Sequence, residues 1–196
     1  MNIELQCCAL FIIFTISVMF LREKKLDLMN RKLFFRAICA CFACLIFDIL
    51  SIILINKAVL EGFDPLITQI VCKIYIMFLV LQGYLGFVYA YTSLLPRDKT
   101  WAKVTRHICN LIFAVGEILM LILPIDYTVH GRVVYSFGPS TLIAYLLCGI
   151  YILSTIVTTL IYRKQMPGRR FTAMLLWQGL WMLAAVIQFI KPELLL

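Results

Sequence analysis

No nucleotide-binding or hydrolytic motif occurs anywhere in the chain. GxxxxGK[ST], HExxH, GxSxG and a glycine-rich phosphate loop are all absent, so nothing in the sequence carries phosphoryl, zinc-peptidase or serine-hydrolase chemistry on its own. Histidine is nearly absent too: His107 and His130 are the two, and both fall in connecting segments on opposite sides of the expected membrane. They cannot share a site. Period-two alternation of apolar and polar residues, which the strands of a membrane barrel require, is missing as well.

What is present is long apolar runs. The chain is 63% hydrophobic with a mean hydropathy of +0.98, whereas a soluble domain is nearer half apolar. Runs of about 18–25 apolar residues have the length that crosses a bilayer as a helix, and lipid forces backbone groups to be paired within such helices. The expected fold is therefore all-α: a polytopic transmembrane helix bundle forming one domain over residues 1–196. Six spans are expected, at about 5–21, 33–55, 66–95, 108–125, 141–162 and 171–190. The first is not a cleaved leader. Its leading flank carries Glu4 and no base, its trailing flank is Arg22-Glu23-Lys24-Lys25, and no small-residue cleavage site follows.

The formal charge of +8 resembles a nucleic-acid signal only until it is mapped. Fourteen Lys and Arg fall in the three loops that follow the first, third and fifth spans, and three fall on the other side. That asymmetry is the mark of cytoplasmic loops and sets the N-terminus outside. The partner it implies is the bilayer, not a nucleic acid. Between the fourth and fifth spans, Tyr127 to Tyr135 is β-branched and aromatic around His130-Gly131, which predicts a small hairpin over the outer face. The chain closes on Lys191-Pro192-Glu193-Leu194-Leu195-Leu196, read as the first half-turn of a seventh span before which this piece is truncated.

Eight cysteines lie in apolar segments. Cys41-Phe42-Ala43-Cys44 has CxxC spacing, but no histidine or second CxxC accompanies it, so the thiols read as packing residues, with no metal site and no cofactor. The informative residues are three charges inside spans. Asp48, Lys73 and Glu117 each fall seven or eight residues from the outer end of their span, about 10–12 Å below the outer face at the helical rise. Ionisable groups at such depth mark functional sites by default. The expected first pair is Asp48 with Lys73, on antiparallel neighbours joined by a short loop, with Glu117 free to share Lys73 or to await a cation. Ser51 shares the Asp48 face, Gln69 the Lys73 face, and Asn110 lies seven residues from Glu117. Tyr75, Gln82 and Tyr89 form a second stripe on the third span. The bland counterpart is a structural ion pair among ordinary interhelical hydrogen bonds, with Gly83, Gly86, Ala184 and Ala185 as close-packing positions and Trp177 and Trp181 as packing aromatics.

Several stretches resemble one family. Leu45-Ile46-Phe47-Asp48-Ile49-Leu50-Ser51-Ile52, Val71-Cys72-Lys73-Ile74-Tyr75, Phe137-Gly138-Pro139-Ser140 with Tyr145, and the run Trp177 to Trp181, Ala184-Ala185, Gln188-Phe189 and Pro192 to Leu196 are similar to the N-terminal membrane region of bacterial diguanylate cyclases with a GGDEF output domain. Related seven-helix inputs precede some histidine kinases. The resemblance implies a sensor in the bacterial inner (cytoplasmic) membrane. It would take an extracellular or membrane-borne small ligand, work as a homodimer, and signal through cyclic di-GMP made by a separate cytoplasmic domain. This chain itself is not an enzyme on that reading. The alternatives are a structural membrane protein and a six-span substrate-binding subunit of a transporter. The latter docks through small residues four apart on its first helix, and Leu5 to Leu21 holds one Ala and no Gly. Orientation is checked by thiol labelling of intact cells in a cysteine-free background: His130→Cys is expected to react with an impermeant reagent and Lys99→Cys is not.

Overall fold

The computed structural model describes residues 4–22, 28–94, 100–130 and 133–165, and, of the last segment, 171, 172, 175, 178, 179, 182, 183 and 186. Five helices dominate: α1 Glu4–Arg22, α2 Leu28–Glu61, α3 Pro65–Leu94, α4 Thr100–Ile122 and α5 Pro139–Ile161. A two-stranded hairpin, β1 Asp126–His130 and β2 Val133–Phe137, separates α4 from α5. Four of the expected six spans have the length and hydropathy to cross a membrane, at Lys32–Glu61, Pro65–Leu94, Ala102–Ile122 and Pro139–Ile161. In α1 the apolar helix is the shorter Gln6–Thr15. The described residues of the sixth expected span are helical, and the expected stub of a seventh, with Trp177, Trp181, Ala184 and Ala185, lies outside the described residues.

Helix ends follow local chemistry. Asp64 accepts the backbone N–H of Leu66 at 2.9 Å just before Pro65, the side-chain cap and first-turn proline that open a helix cheaply. Gly62, at φ 70°, takes the left-handed conformation that ends α2 without a Cβ clash. Gly138, at φ 116°, turns the chain from β2 into α5 in a conformation that favours glycine, with the Pro124 carbonyl 3.4 Å from where a Cβ would stand.

Packing is centred on α3, which touches its antiparallel neighbours α2 and α4 and runs parallel to α5, while α1 leans on α2 and α4 on α5. Thr68, Cys72, Ile76, Val80, Phe87, Ala90, Tyr91 and Leu94 lie along one buried stripe of α3 at helical spacing, with Leu85 buried beside it. Gly83 lets α3 approach α5, since a Cβ there would lie 3.8 Å from Tyr151 Cβ, and Gly86 faces Gln178 of the last segment. Outward-facing Ile108, Leu111, Val115, Ile118 and Ile122 leave α4 an apolar exposed flank, as a helix bathed in lipid should. The hydroxyls of α5 follow the same logic, with Thr155, Thr158 and Thr159 each donating to the carbonyl four residues back.

The expected hairpin forms one pairing wider than Tyr127 to Tyr135, from Asp126↔Phe137 to His130↔Val133. It packs on α2. This gathers it with Lys57, Glu61 and Asp64 at one end of the bundle, while Lys32, Arg36, Lys103, Arg106, Arg163 and Lys164 gather at the other. The charge asymmetry read from sequence is thus an asymmetry of the folded bundle.

Gly116 packs directly on α5: a Cβ there would collide with Leu147 Cδ1, and Leu147 is buried. Gly116→Val is expected to lower stability by about 1–3 kcal/mol through overpacking. Thermal unfolding in detergent should show that adding Leu147→Ala recovers part of the loss, because the two side chains compete for one space.

Candidate functional site

The three intramembrane charges do not meet. Lys73 Nζ donates to the backbone carbonyl of Leu121 at 2.6 Å, and the Asp48 carboxyl is hydrogen-bonded by the side chain of Gln6. The expected Asp48–Lys73 pair is therefore replaced by two separate arrangements. The reason is rotation about the helix axis. Cys72 belongs to the buried stripe of α3 and lies within electrostatic reach of Asp48; Lys73, one residue on and about 100° around the helix, is turned toward α4.

Depth contributes as well. Phe47 stacks on Phe78, with centroids 5.5 Å apart, and Phe34 meets Tyr89 edge-on. That register sets Asp48 level with Ile76, about 5 Å deeper than Lys73. Lys73–Leu121, Tyr84–Asn110 and Tyr91–Ala102 set Glu117 level with Met77. The two carboxyls do share a depth, but on different flanks of α3.

Both relocated partners are helix ends. Leu121 is in the last turn of α4, where carbonyls lack an intrahelical donor and the dipole is negative; Lys73 supplies both the donor and the positive charge. Gln6 is in the first turn of α1, the positive end of that helix, and Asp48 brings the negative charge there. Ser51 donates to the Asp48 backbone carbonyl at 2.8 Å, so it shares the face without touching the carboxyl. Gln69 is half-buried one turn before Lys73 on α3.

Glu117 has no such host. It lies in mid-helix, and its Oε1 is buried without a hydrogen-bond partner among the described residues. The α4–α5 seam brackets it: Gly116 against Leu147 on the inner side, and Met120, whose carbonyl accepts from Ser140 Oγ at 2.9 Å, on the outer side. Cys148 and Tyr151 of α5 are within its electrostatic reach. Two other buried oxygens among the described residues lack a partner, Thr141 Oγ1, on the same buried face of α5 as Ala144 and Cys148, and Gln6 Oε1 on α1.

The remaining expected residues serve interhelical bonds. Asn110 Oδ1 accepts from Tyr84 at 2.7 Å, Gln82 donates to the Cys41 thiol, and Tyr75 and Tyr89 are also engaged. Sequence reasoning missed Tyr84, Tyr91 and Tyr151. Tyr91 and Tyr151 donate to the backbone carbonyls of Ala102 (2.8 Å) and Cys109 (3.2 Å) on α4, and Tyr84 stacks on Phe113 at 4.4 Å. Their spacing of seven between Tyr84 and Tyr91 was the available signal. All eight cysteines are free thiols, and no group of metal-binding side chains occurs among the described residues.

No family model, no curated protein and no solved structure matches the chain. The site must be read from its own chemistry.

Gln6→Leu is expected to destabilise the protein by about 1–3 kcal/mol, because it leaves the Asp48 carboxyl without its donor. Gln6→Leu with Asp48→Leu should regain most of that loss. The charge exchange Asp48→Lys with Lys73→Asp should regain none. Urea or thermal unfolding in one detergent checks all three, and recovery by the exchange would restore the ion pair.

Proposed function

We propose that this multi-span membrane protein is a sensing module whose recognition site is the Glu117 seam between α4 and α5. The observation that carries the reading is the unpartnered, buried carboxyl oxygen of Glu117. Asp48 and Lys73 are accounted for by helix ends, so they need no ligand. A buried polar atom without a partner costs about 1–3 kcal/mol, more when charged, and such a cost inside a bilayer marks function rather than architecture.

The attachment of α4 favours sensing over a rigid structural role. Among the described residues its polar ties include hydrogen bonds from α3 and α5 to α4 acceptors: Tyr91 to Ala102, Tyr151 to Cys109, Tyr84 to Asn110, Lys73 to Leu121 and Ser140 to Met120. Each of these can be exchanged for another acceptor at modest cost. A ligand at Glu117 that binds one position of α4 better than another shifts the population by that difference. The sequence resemblance extends the proposal to the input region of a bacterial diguanylate cyclase in the inner membrane, working as a homodimer and passing the change to a cytoplasmic cyclase domain.

The intact mass of the gene product in its own cells tests that extension. A mass well above the 22.6 kDa of this chain, with a cytoplasmic nucleotide-cyclising domain behind it, is the expected result. A mass equal to this chain overturns the cyclase connection.

A further inference from the structure

We propose that the contact between Asp48 and Gln6 is a proton-binding site that fastens α1 to the bundle. A protonated Asp48 holds the Gln6 amide by two hydrogen bonds, and an ionised Asp48 by one. The site is separate from the Glu117 seam and does not depend on it. Gln6 is 5% exposed, and its side chain donates to the Asp48 carboxyl. The other end of the same amide, Oε1, is buried and has no hydrogen-bond partner among the described residues. Donor and orphan acceptor belong to one planar group already seated on the carboxyl, so no further residue has to be brought there.

What Oε1 lacks is a donor. An ionised carboxylate only accepts, so it takes the amide N–H and offers nothing in return; a carboxylic acid carries one O–H donor. Set edge to edge, amide and acid exchange two bonds, N–H to the carboxyl C=O and O–H to Oε1. One proton taken up from water makes this change: an O–H bond forms, no bond breaks, and the charge leaves the bilayer. Two influences oppose each other here. The first turn of α1 favours the ionised form, while burial and the orphan acceptor favour the acid. The surrounding titratable groups do not decide between them. Cys44 on α2 and Cys72 on α3 are within electrostatic reach of Asp48, and Lys73 is committed to Leu121. On α1, Glu4 precedes Gln6 by two residues and Cys7 and Cys8 are exposed. On the hairpin, which packs on α2, Asp126 is exposed, Tyr127 packs on the apolar core and His130 stands at the turn.

The attachment of α1 gives the proton its effect. This helix leans on α2, and Phe11, Ile12 and Phe14 on its other flank are each more than half exposed. An element with few buried contacts opens at low cost, so one hydrogen bond is a large share of what holds it. The docked state gains a bond on protonation that the undocked state does not. Docking is therefore strongest at acid pH and weakens as pH rises through the titration of Asp48.

The test is infrared difference spectroscopy between acid and alkaline pH in nanodiscs, with a spin-label distance between Phe11→Cys and Ile46→Cys, both exposed positions. The labelled chain keeps the buried Cys44, Cys72 and Cys148 and has serine at its other cysteines. A protonated-carboxyl C=O band is expected at acid pH and lost at alkaline pH. It should vanish in Asp48→Asn, persist in Glu117→Gln, and move to higher frequency in Gln6→Leu, where the acid has lost its partner. The ratio of docked to undocked α1 should fall about two- to tenfold on raising the pH, the worth of one hydrogen bond. Asp48→Asn, whose amide can make both bonds at every pH, should keep the docked distance throughout. No titrating band lost in Asp48→Asn, or a band that Gln6→Leu leaves unmoved, overturns the site. A band that behaves as expected while the distance is the same at both pH values overturns the hold on α1.

Discussion

Every charge in a bilayer must be received by something, and in this bundle helix ends receive two of the three. An isolated charged side chain at the centre of a spanning helix costs about 2.5–3.5 kcal/mol on insertion scales. A helix terminus brings unpaired donors or acceptors and half a charge of known sign. Asp48 faces the donor-rich first turn of α1 through Gln6, and Lys73 the acceptor-rich last turn of α4 through Leu121. Much of the packing depends on these meetings, for they tie α1 to α2 and the outer end of α4 to α3.

The hydroxyl groups obey the same constraint at lower stakes. Thr155, Thr158 and Thr159 on α5 turn back onto their own helix, while Ser140 and the tyrosines of α3 and α5 reach across to α4. The result is a helix pair, α2 and α3, joined mainly by ring stacking and close apolar packing with the Gln82–Cys41 bond, and a helix, α4, joined by directional bonds beside the Tyr84–Phe113 stack and the Gly116–Leu147 contact, with its other flank bare to lipid. Apolar packing is indifferent to small rotations only at the cost of voids, whereas a hydroxyl can trade one carbonyl for the next.

Glu117 stands out only once the other two charges are explained. Read as a set, the three looked like a cluster with a built-in counter-ion. Read in the fold, Lys73 is occupied, Asp48 is on another flank of α3, and Glu117 is left with a buried oxygen that has no hydrogen-bond partner among the described residues. The function proposed for the chain follows from that remainder, not from the number of charges.

The membrane class, four of the spans, the hairpin and the charge asymmetry were determined by the sequence alone, because each depends on local composition and length: a run of apolar residues crosses lipid wherever its neighbours lie. So was the common depth of Asp48 and Glu117, since depth is counted along one helix. Which charges meet was decided only by tertiary structure. Partnership depends on rotation about the axis and on the relative register of two helices, where one residue is about 100° and 1.5 Å. That turned Lys73 away from Asp48 and toward a carbonyl, a kind of partner that a list of side chains does not contain.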